Sequence, residues 1–345
     1  MNRVLLTVLA LAALAGTTRA DVFTPLDPYY VSHQWYGPLL GLPEAWHYSR
    51  GSRDVTIAIL DTGVMTNTPD LEDRLLPPLA PTGVPILDGT ANHHGTWMAS
   101  TVAMGIDNGI GGAGVGNFSI LPITVTDAQG HNSSENIAAG IRLAAAQGAR
   151  VITVSLGTLT YGVLDTAARA ARDLGALVFV AAGNSGGYNS MTGYDNLIFV
   201  SGTNRTDERW YVSPGLGSTY GPFVDLAAPA ESIFAADPTL ENGYGTGSGT
   251  SFAAPLAGGA AALAWSINPD LTPDEVRGIL FDTAVDLGIS GRDDYFGYGR
   301  INIGAVAAAA YGTTPEPATL ALMCAALAGM ALGRRRNTGQ FPPLV

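Results

Sequence analysis

The feature that most constrains this chain is a repeated alternation of short apolar strands with helical segments. Four runs rich in β-branched residues have the length and composition of buried strands: 55–60, 120–125, 151–157 and 177–182. Two of the intervening segments, 136–147 and 164–174, carry apolar residues at helical spacing. Parallel strands need long crossover connections, which are usually helices. The pattern predicts an α/β fold with a mostly parallel central sheet and helices on both faces.

A glycine-rich stretch, Gly249-Thr250-Ser251-Phe252-Ala253-Ala254-Pro255, opens a run of small residues that extends to Trp265. It predicts a tight turn leading into a helix, with Thr250 or Ser251 near the cap and Pro255 in or near the first turn. A serine there has an exposed hydroxyl beside backbone N–H groups and the positive helix end. Because Gly-Thr-Ser also occurs in ordinary turns, the stretch alone leaves a structural turn and a nucleophile open.

A base and an acid for this serine lie upstream. Asp61 follows the first apolar strand and stands at the C-terminal edge of the predicted sheet. His94 begins a second small-residue helix, which runs to Ala103, and its neighbour His93 is expected to be exposed. A serine hydroxyl needs a base, and the base needs an orienting carboxylate. The residues predict a triad in the chain order Asp, His, Ser.

With these motifs the sequence resembles the subtilisin-like serine peptidases of family S8. The opening segments 27–30 and 34–38 are most similar to the thermitase branch, and the resemblance extends from about Phe23 to Tyr311. It implies the three-layer subtilisin-like fold over a domain of 21–312. It also implies a secreted endopeptidase that hydrolyses protein or peptide substrates through an acyl-enzyme on Ser251, with Asp61 and His94 as its partners.

Further site residues follow from the resemblance. Asn184, at the end of the fourth strand, matches the residue that donates to the oxyanion; an ordinary turn asparagine is the alternative. Met191 stands where relatives usually have a proline, so P1 preference stays open. The positions that match the substrate-binding edge and its opposite side are Ser155, Leu156, Gly157 and Gly130.

A calcium ion is the cofactor that the resemblance implies. The family loop that wraps this ion matches 106–112, and two aspartates outside the loop complete the set. The ligands carried over to this chain are Asp27, Asp70, Ile106, Asn108, Ile110 and Gly112. Calcium takes six to eight oxygen ligands, which this set supplies. A turn-rich surface loop with unrelated acids nearby is the alternative.

Both ends of the chain carry export signals. Residues 1–20 have a basic start, a short apolar stretch and a small-residue cleavage site, typical of a signal peptide. Residues 313–336 combine Pro-Glu-Pro, an apolar stretch and three arginines, followed by a tail at 337–345. This segment resembles the PEP-CTERM sorting signal of some Gram-negative bacteria, which a membrane transpeptidase processes. A transmembrane helix retained as an anchor is the alternative.

The net charge argues against some binding partners, and the cysteine content argues against disulfide bonds. The net charge is −12, and removing the two terminal signals makes the chain more acidic, which disfavours nucleic acid. The one cysteine, Cys324, lies in the C-terminal apolar stretch, so no disulfide is expected in the domain. A catalytically silent binding or surface-matrix protein remains the rival to an enzyme, although no predicted catalytic residue is missing.

Overall fold

The computed structural model describes residues 23–157 and 160–313. The predicted signal peptide, Cys324 and the C-terminal segment from residue 314 lie outside this range. A compact unit that contains the whole central sheet ends at Tyr311.

A six-stranded parallel sheet forms the centre of the protein. Its members along the chain are β1 (Thr56–Asp61), β2 (Ser119–Thr124), β3 (Val151–Val154), β4 (Leu177–Ala181), β5 (Leu197–Thr203) and β8 (Leu226–Pro229). Their spatial order is β2-β1-β3-β4-β5-β8, with every neighbouring pair parallel. The four predicted strands are present, although β3 ends three residues earlier than expected. The predicted α/β class is confirmed.

Two small antiparallel pairs lie outside this sheet. They are formed by β6 (Tyr211–Ser213) with β7 (Leu216–Gly217), and by β9 (Ile233–Ala236) with β10 (Tyr244–Gly247). The second pair matters for the site, because β10 leads directly into the Gly249 turn.

The helices form the two outer layers and the connections. In chain order they are α1 (Tyr30–His33), α2 (Tyr36–Leu39), α3 (Leu42–Tyr48), α4 (His94–Ala103), α5 (Ser134–Ala146), α6 (Tyr161–Asp173), α7 (Thr250–Ile267), α8 (Pro273–Asp282) and α9 (Ile303–Gly312), with a 3₁₀ turn at Glu72–Arg74. Ser133 caps α5, and Thr272 with Glu275 forms a capping box on α8.

Two apolar clusters cover the two faces of the sheet. Ile57 and Ile59 of β1 pack with α4 and α7, whereas the alternating Ala58 and Leu60 pack with α5 and α6. This division follows from the two-residue period of a strand. Among the described helices, α7 alone has the length and hydropathy of a membrane span, and 83% of it is buried in the protein. It is therefore the core helix of the domain.

Candidate active site

Asp61 and His94 meet at the C-terminal edge of the sheet. Asp61 ends β1 and is fully buried, and His94 begins α4. The imidazole Nδ1 lies 2.9 Å from Oδ1 and 3.0 Å from Oδ2 of Asp61. A Cβ at Gly95 would come within 2.2 Å of the Gly63 carbonyl oxygen, so only glycine lets the helix start this close to β1. The local sequence thus places the imidazole against the carboxylate.

The surroundings of His94 act on its pKa in two directions. Burial lowers the pKa, while the charge of Asp61 and its hydrogen bond raise it, and the net shift is upward. Asp61 itself accepts a further hydrogen bond from the Thr62 N–H at 2.8 Å, which helps to fix its orientation. Because Nδ1 of His94 is hydrogen-bonded to the Asp61 carboxylate, Nε2 is the ring nitrogen that can accept a proton from a nucleophile.

Ser251 lies in the first turn of α7, where it exchanges hydrogen bonds with the end of β3. Its Oγ donates to the Ser155 carbonyl at 3.3 Å, and Ser155 Oγ donates to the Ser251 carbonyl at 2.8 Å. Among the described residues no hydrogen bond joins Ser251 to His94.

The prediction for Pro255 was wrong in detail. Gly249 is the N-cap with φ 149°, so Pro255 lies beyond the first turn, inside the helix. Proline lacks the N–H that would bond to the carbonyl four residues earlier, which belongs to Ser251. The Ser155 hydroxyl supplies the missing donor at 2.8 Å. A contact between distant segments therefore permits the proline, and the local sequence does not reveal it.

Asn184 follows β4 and is held in one orientation. Its Oδ1 accepts hydrogen bonds from the Thr250 N–H at 2.9 Å and the Thr250 hydroxyl at 2.8 Å. Because the carboxamide oxygen is occupied, Nδ2 is left to donate. Thr250 is fully buried. The sequence placed it only near the helix cap, and its contact with Asn184 was not predicted.

The predicted substrate edge follows β3. Ser155 is buried, and the N–H groups of Leu156 and Gly157 donate to no acceptor within residues 23–157 and 160–313. Gly130 lies in the turn 127–131 with φ 82°, where a Cβ would be 3.1 Å from Asn92 Nδ2. Asn92 in turn accepts the His94 N–H at 3.1 Å, so this turn borders the segment that leads into the catalytic helix.

The side chains of His93 and Met191 contact residues other than those predicted for the site. His93 Nε2 is 3.9 Å from Asp237, and its ring packs against Trp97, whose ring also contacts Phe252. Met191 is half-buried and packs on the apolar cluster beneath α5 and α6.

The loop 106–112 closes around two buried carboxylates. Asp27 accepts the N–H groups of Asp107, Asn108 and Gly109 at 2.7 to 3.0 Å. Asp70 accepts the Gly105 N–H at 2.9 Å and Asn108 Nδ2 at 2.8 Å. Burial raises the pKa of Asp27, and it raises that of Asp70 to about 6 against the opposing hydrogen bonds. Neither carboxylate has an ion-pair partner within 4.0 Å among the described residues.

Three carbonyl oxygens of this loop are without a hydrogen-bond donor in the described part of the chain. Within the described residues, the carbonyls of Ile106, Ile110 and Gly112 accept no hydrogen bond. A Cβ at Gly111 would be 2.0 Å from Asp70 Oδ2, so a glycine here lets the loop approach the carboxylate. No group of three or more His, Cys, Asp or Glu side chains that could hold a metal is found in the described part of the chain. Two carboxylates and three carbonyl oxygens suit calcium rather than zinc, whereas Asn108 Oδ1 already accepts the Ile110 N–H at 3.1 Å.

Comparison with known proteins gives two family matches. The Subtilase family (Peptidase S8) matches residues 52–299, and the PEP-CTERM protein-sorting motif matches residues 313–336. The chain is 37% identical to thermitase of Thermoactinomyces vulgaris over 290 residues, which cover 81% of this chain and 98% of thermitase. It is 35% identical to the thermophilic serine proteinase of Bacillus sp. (strain AK1), over 81% of this chain and 68% of that protein.

The solved structures agree in fold. A protease of Pseudoalteromonas arctica PAMC 21717 superimposes with a TM-score of 0.69 at 28% identity. The alignment covers 84% of this chain and 100% of that one.

Proposed function

Because this chain belongs to the subtilase family and is a subtilisin-like serine endopeptidase, we propose that Asp61, His94 and Ser251 form its catalytic triad. The observation that carries the assignment is the buried Asp61 carboxylate, 2.9 Å from His94 Nδ1. It orients the imidazole so that Nε2 can accept a proton, while Ser251 lies at the start of α7, where its hydroxyl donates to the Ser155 carbonyl at 3.3 Å.

In the proposed reaction His94 acts first as base and then as acid. Nε2 takes the Ser251 proton as Oγ attacks the scissile carbonyl, and Asp61 stabilises the imidazolium. His94 then protonates the leaving amine, and an acyl group stays on Ser251. Water, activated by the same imidazole, hydrolyses this ester and restores the serine.

Asn184 Nδ2 and the Ser251 N–H are the proposed oxyanion donors. Thr250 occupies the amide oxygen of Asn184, so the donor is already oriented when the negative charge forms. The unpaired N–H groups of Leu156 and Gly157 support pairing of an extended peptide beside Ser155, with Gly130 on the opposite side.

A structural calcium ion is proposed at the loop 106–112. The side chains of Asp27, Asp70 and Asn108 would hold it together with the three carbonyls of the loop. The ion would supply positive charge to two buried carboxylates that lack an ion-pair partner in the described structure. Its role is stability, since its ligands are separate from the residues proposed for catalysis.

The protein is exported and acts outside the cell or at the cell surface, as its sorting motif and secreted relatives support. We place it in a Gram-negative-type bacterium, with residues 1–20 as a signal peptide and 313–336 as the substrate of a sorting transpeptidase.

The test is labelling of the purified protein with a fluorophosphonate, which reacts with an activated serine. We expect labelling of the wild type and none of Ser251→Ala, and a loss of about 10⁶-fold in kcat on a peptide substrate, the size known for subtilisin. Ser248→Ala, in the turn before α7, is the matched control and should label normally. Equal labelling of Ser251→Ala and wild type would refute the assignment of the nucleophile.

A further inference from the structure

The turn that carries Asn184 lies against the segment 217–219, at the end of β7. The Gly217 N–H donates to the Asn184 carbonyl at 3.1 Å, and the Gly217 carbonyl accepts the Gly186 N–H at 2.8 Å. These two hydrogen bonds join the turn after β4 to a segment that comes after β5 along the chain. The backbone around Asn184 is therefore supported by residues outside the predicted site.

Thr219 contacts the backbone on both sides of Asn184. Its N–H donates to the Gly183 carbonyl at 2.9 Å, and its Oγ1 accepts the Ser185 N–H at 3.2 Å. The same oxygen lies 2.9 Å from Ser185 Oγ, within hydrogen-bond distance. One threonine thus holds the residue before Asn184 and the residue after it.

The Asn184 turn differs in burial from the residues that hold it. Asn184 and Ser185 are exposed, whereas Thr219 is 6% exposed and Thr250 is fully buried. Gly183 has φ 100°, a conformation that glycine adopts without the restraint of a Cβ. Because packing restrains an exposed turn of this kind only weakly, its shape depends on hydrogen bonds to the buried threonines.

Thr219 is itself tied to the central sheet. The preceding residue, Ser218, is fully buried, and its Oγ accepts the Gly202 N–H of β5 at 2.9 Å. One terminal nitrogen of Arg209 donates to the Ser218 carbonyl and to the Gly186 carbonyl, at 3.0 Å each. A residue that orients another must be fixed in its own place, and these contacts fix the segment of Thr219.

We propose that Thr219 is a positioning residue that fixes the backbone of Asn184, while Thr250 fixes its carboxamide. This role rests on the proposed function, in which Asn184 Nδ2 donates to the oxyanion. A small displacement of that donor weakens its hydrogen bond to the charge that forms in the transition state. Ground-state binding does not use the donor, so Thr219 acts on kcat and leaves KM almost unchanged.

The test changes the Thr219 side chain in the full-length protein and measures kcat and KM on a peptide substrate in excess calcium. Thr219→Val keeps the shape of the side chain but removes the acceptor for the Ser185 N–H. We expect kcat to fall about tenfold with little change in KM, the rate equivalent of one neutral hydrogen bond. Thr219→Ser retains the hydroxyl and should keep kcat near the wild-type value.

The matched control is Thr203→Val, the same substitution at another buried threonine. Thr203 is fully buried at the end of β5, and its hydroxyl has no hydrogen-bond partner among the described residues. Its replacement should leave kcat at the wild-type value. All assays are run below the unfolding midpoint of every variant, so that a loss of stability does not lower the measured kcat.

A double-mutant cycle with Asn184→Leu shows whether Thr219 acts through Asn184. Since Asn184→Leu removes the donor, adding Thr219→Val should cause no further loss of kcat. A general disturbance of the fold would instead lower kcat whether or not the donor is present.

Three results would overturn the proposal. If Asn184→Leu lowers kcat but Thr219→Val does not, the positioning role fails and the oxyanion assignment stands. An equal loss of kcat in both backgrounds would mean that Thr219 acts on another group. If Asn184→Leu itself leaves kcat unchanged, the oxyanion assignment fails and the role of Thr219 fails with it. If Thr219→Val does not fold, the comparison of Thr219→Ala with Thr219→Ser decides, because these two variants differ only in the hydroxyl.

Discussion

The proposed catalytic cluster of Asp61, His94 and Ser251 and the loop 106–112 both contain or contact buried carboxylates, but those carboxylates have different partners. Asp61 faces an imidazole of the same chain at 2.9 Å. Asp27 accepts backbone N–H groups, Asp70 accepts N–H groups and the Tyr244 hydroxyl, and burial raises the pKa of both. Under the proposed function, the catalytic residues are organised by their own side chains, whereas the loop would be completed by an added cation. Each prediction below tests one side of this contrast.

The largest effect is expected when the catalytic cluster loses its base. His94→Ala should lower kcat by about 10⁶-fold, the size known for subtilisin, because it removes the group proposed to take the serine proton. Steady-state assays on a peptide substrate in excess calcium measure this loss. His93→Ala is the matched control and should retain most activity, since His93 faces Asp237. Comparable losses in both variants would break the assignment of the base.

The next effect concerns the donor oriented by Thr250. Asn184→Leu should lower kcat by about 10²–10³-fold with little change in KM, the range established for the equivalent residue of subtilisin. Asn189→Leu, on the exposed segment that follows, should leave kcat unaffected. A change confined to KM would show that Asn184 binds substrate in the ground state instead.

The loop should respond to calcium where the catalytic cluster does not. Chelation should lower Tm, and calcium at about 100 times its Kd should restore about 2.7 kcal/mol of stability. Asp70→Asn should reduce the difference between calcium and chelator, as followed by thermal unfolding. Asp293→Asn is the control, because Asp293 accepts N–H groups of an unrelated turn. An unchanged calcium response in Asp70→Asn would remove the loop as the site.

The same contrast explains what could be predicted from the sequence. Asp61 and His94 end a strand and begin a helix, so local patterns were enough to place them at one edge of the sheet. Two hydrogen bonds join segments that are more than 60 residues apart. The Ser155 hydroxyl donates to the Ser251 carbonyl, which Pro255 leaves without its helical donor, and the Thr250 hydroxyl donates to Asn184 Oδ1. Such contacts depend on packing, which no local pattern encodes.

The smallest expected effect is a shift in pH dependence, and it tests whether Asp61 sets the charge of His94. The net pKa of His94 is raised, because Asp61 outweighs the lowering by burial. Activity requires the neutral imidazole, so kcat/KM should fall with decreasing pH through a pKa above the ordinary histidine value of 6.5. Asp61→Asn removes both raising effects and leaves burial, so the residual activity should persist to lower pH. Asp237→Asn, next to His93, should leave the fall of kcat/KM at acid pH unchanged. An unmoved acid limb in Asp61→Asn would mean that another group titrates, and the carboxylate would then serve orientation alone.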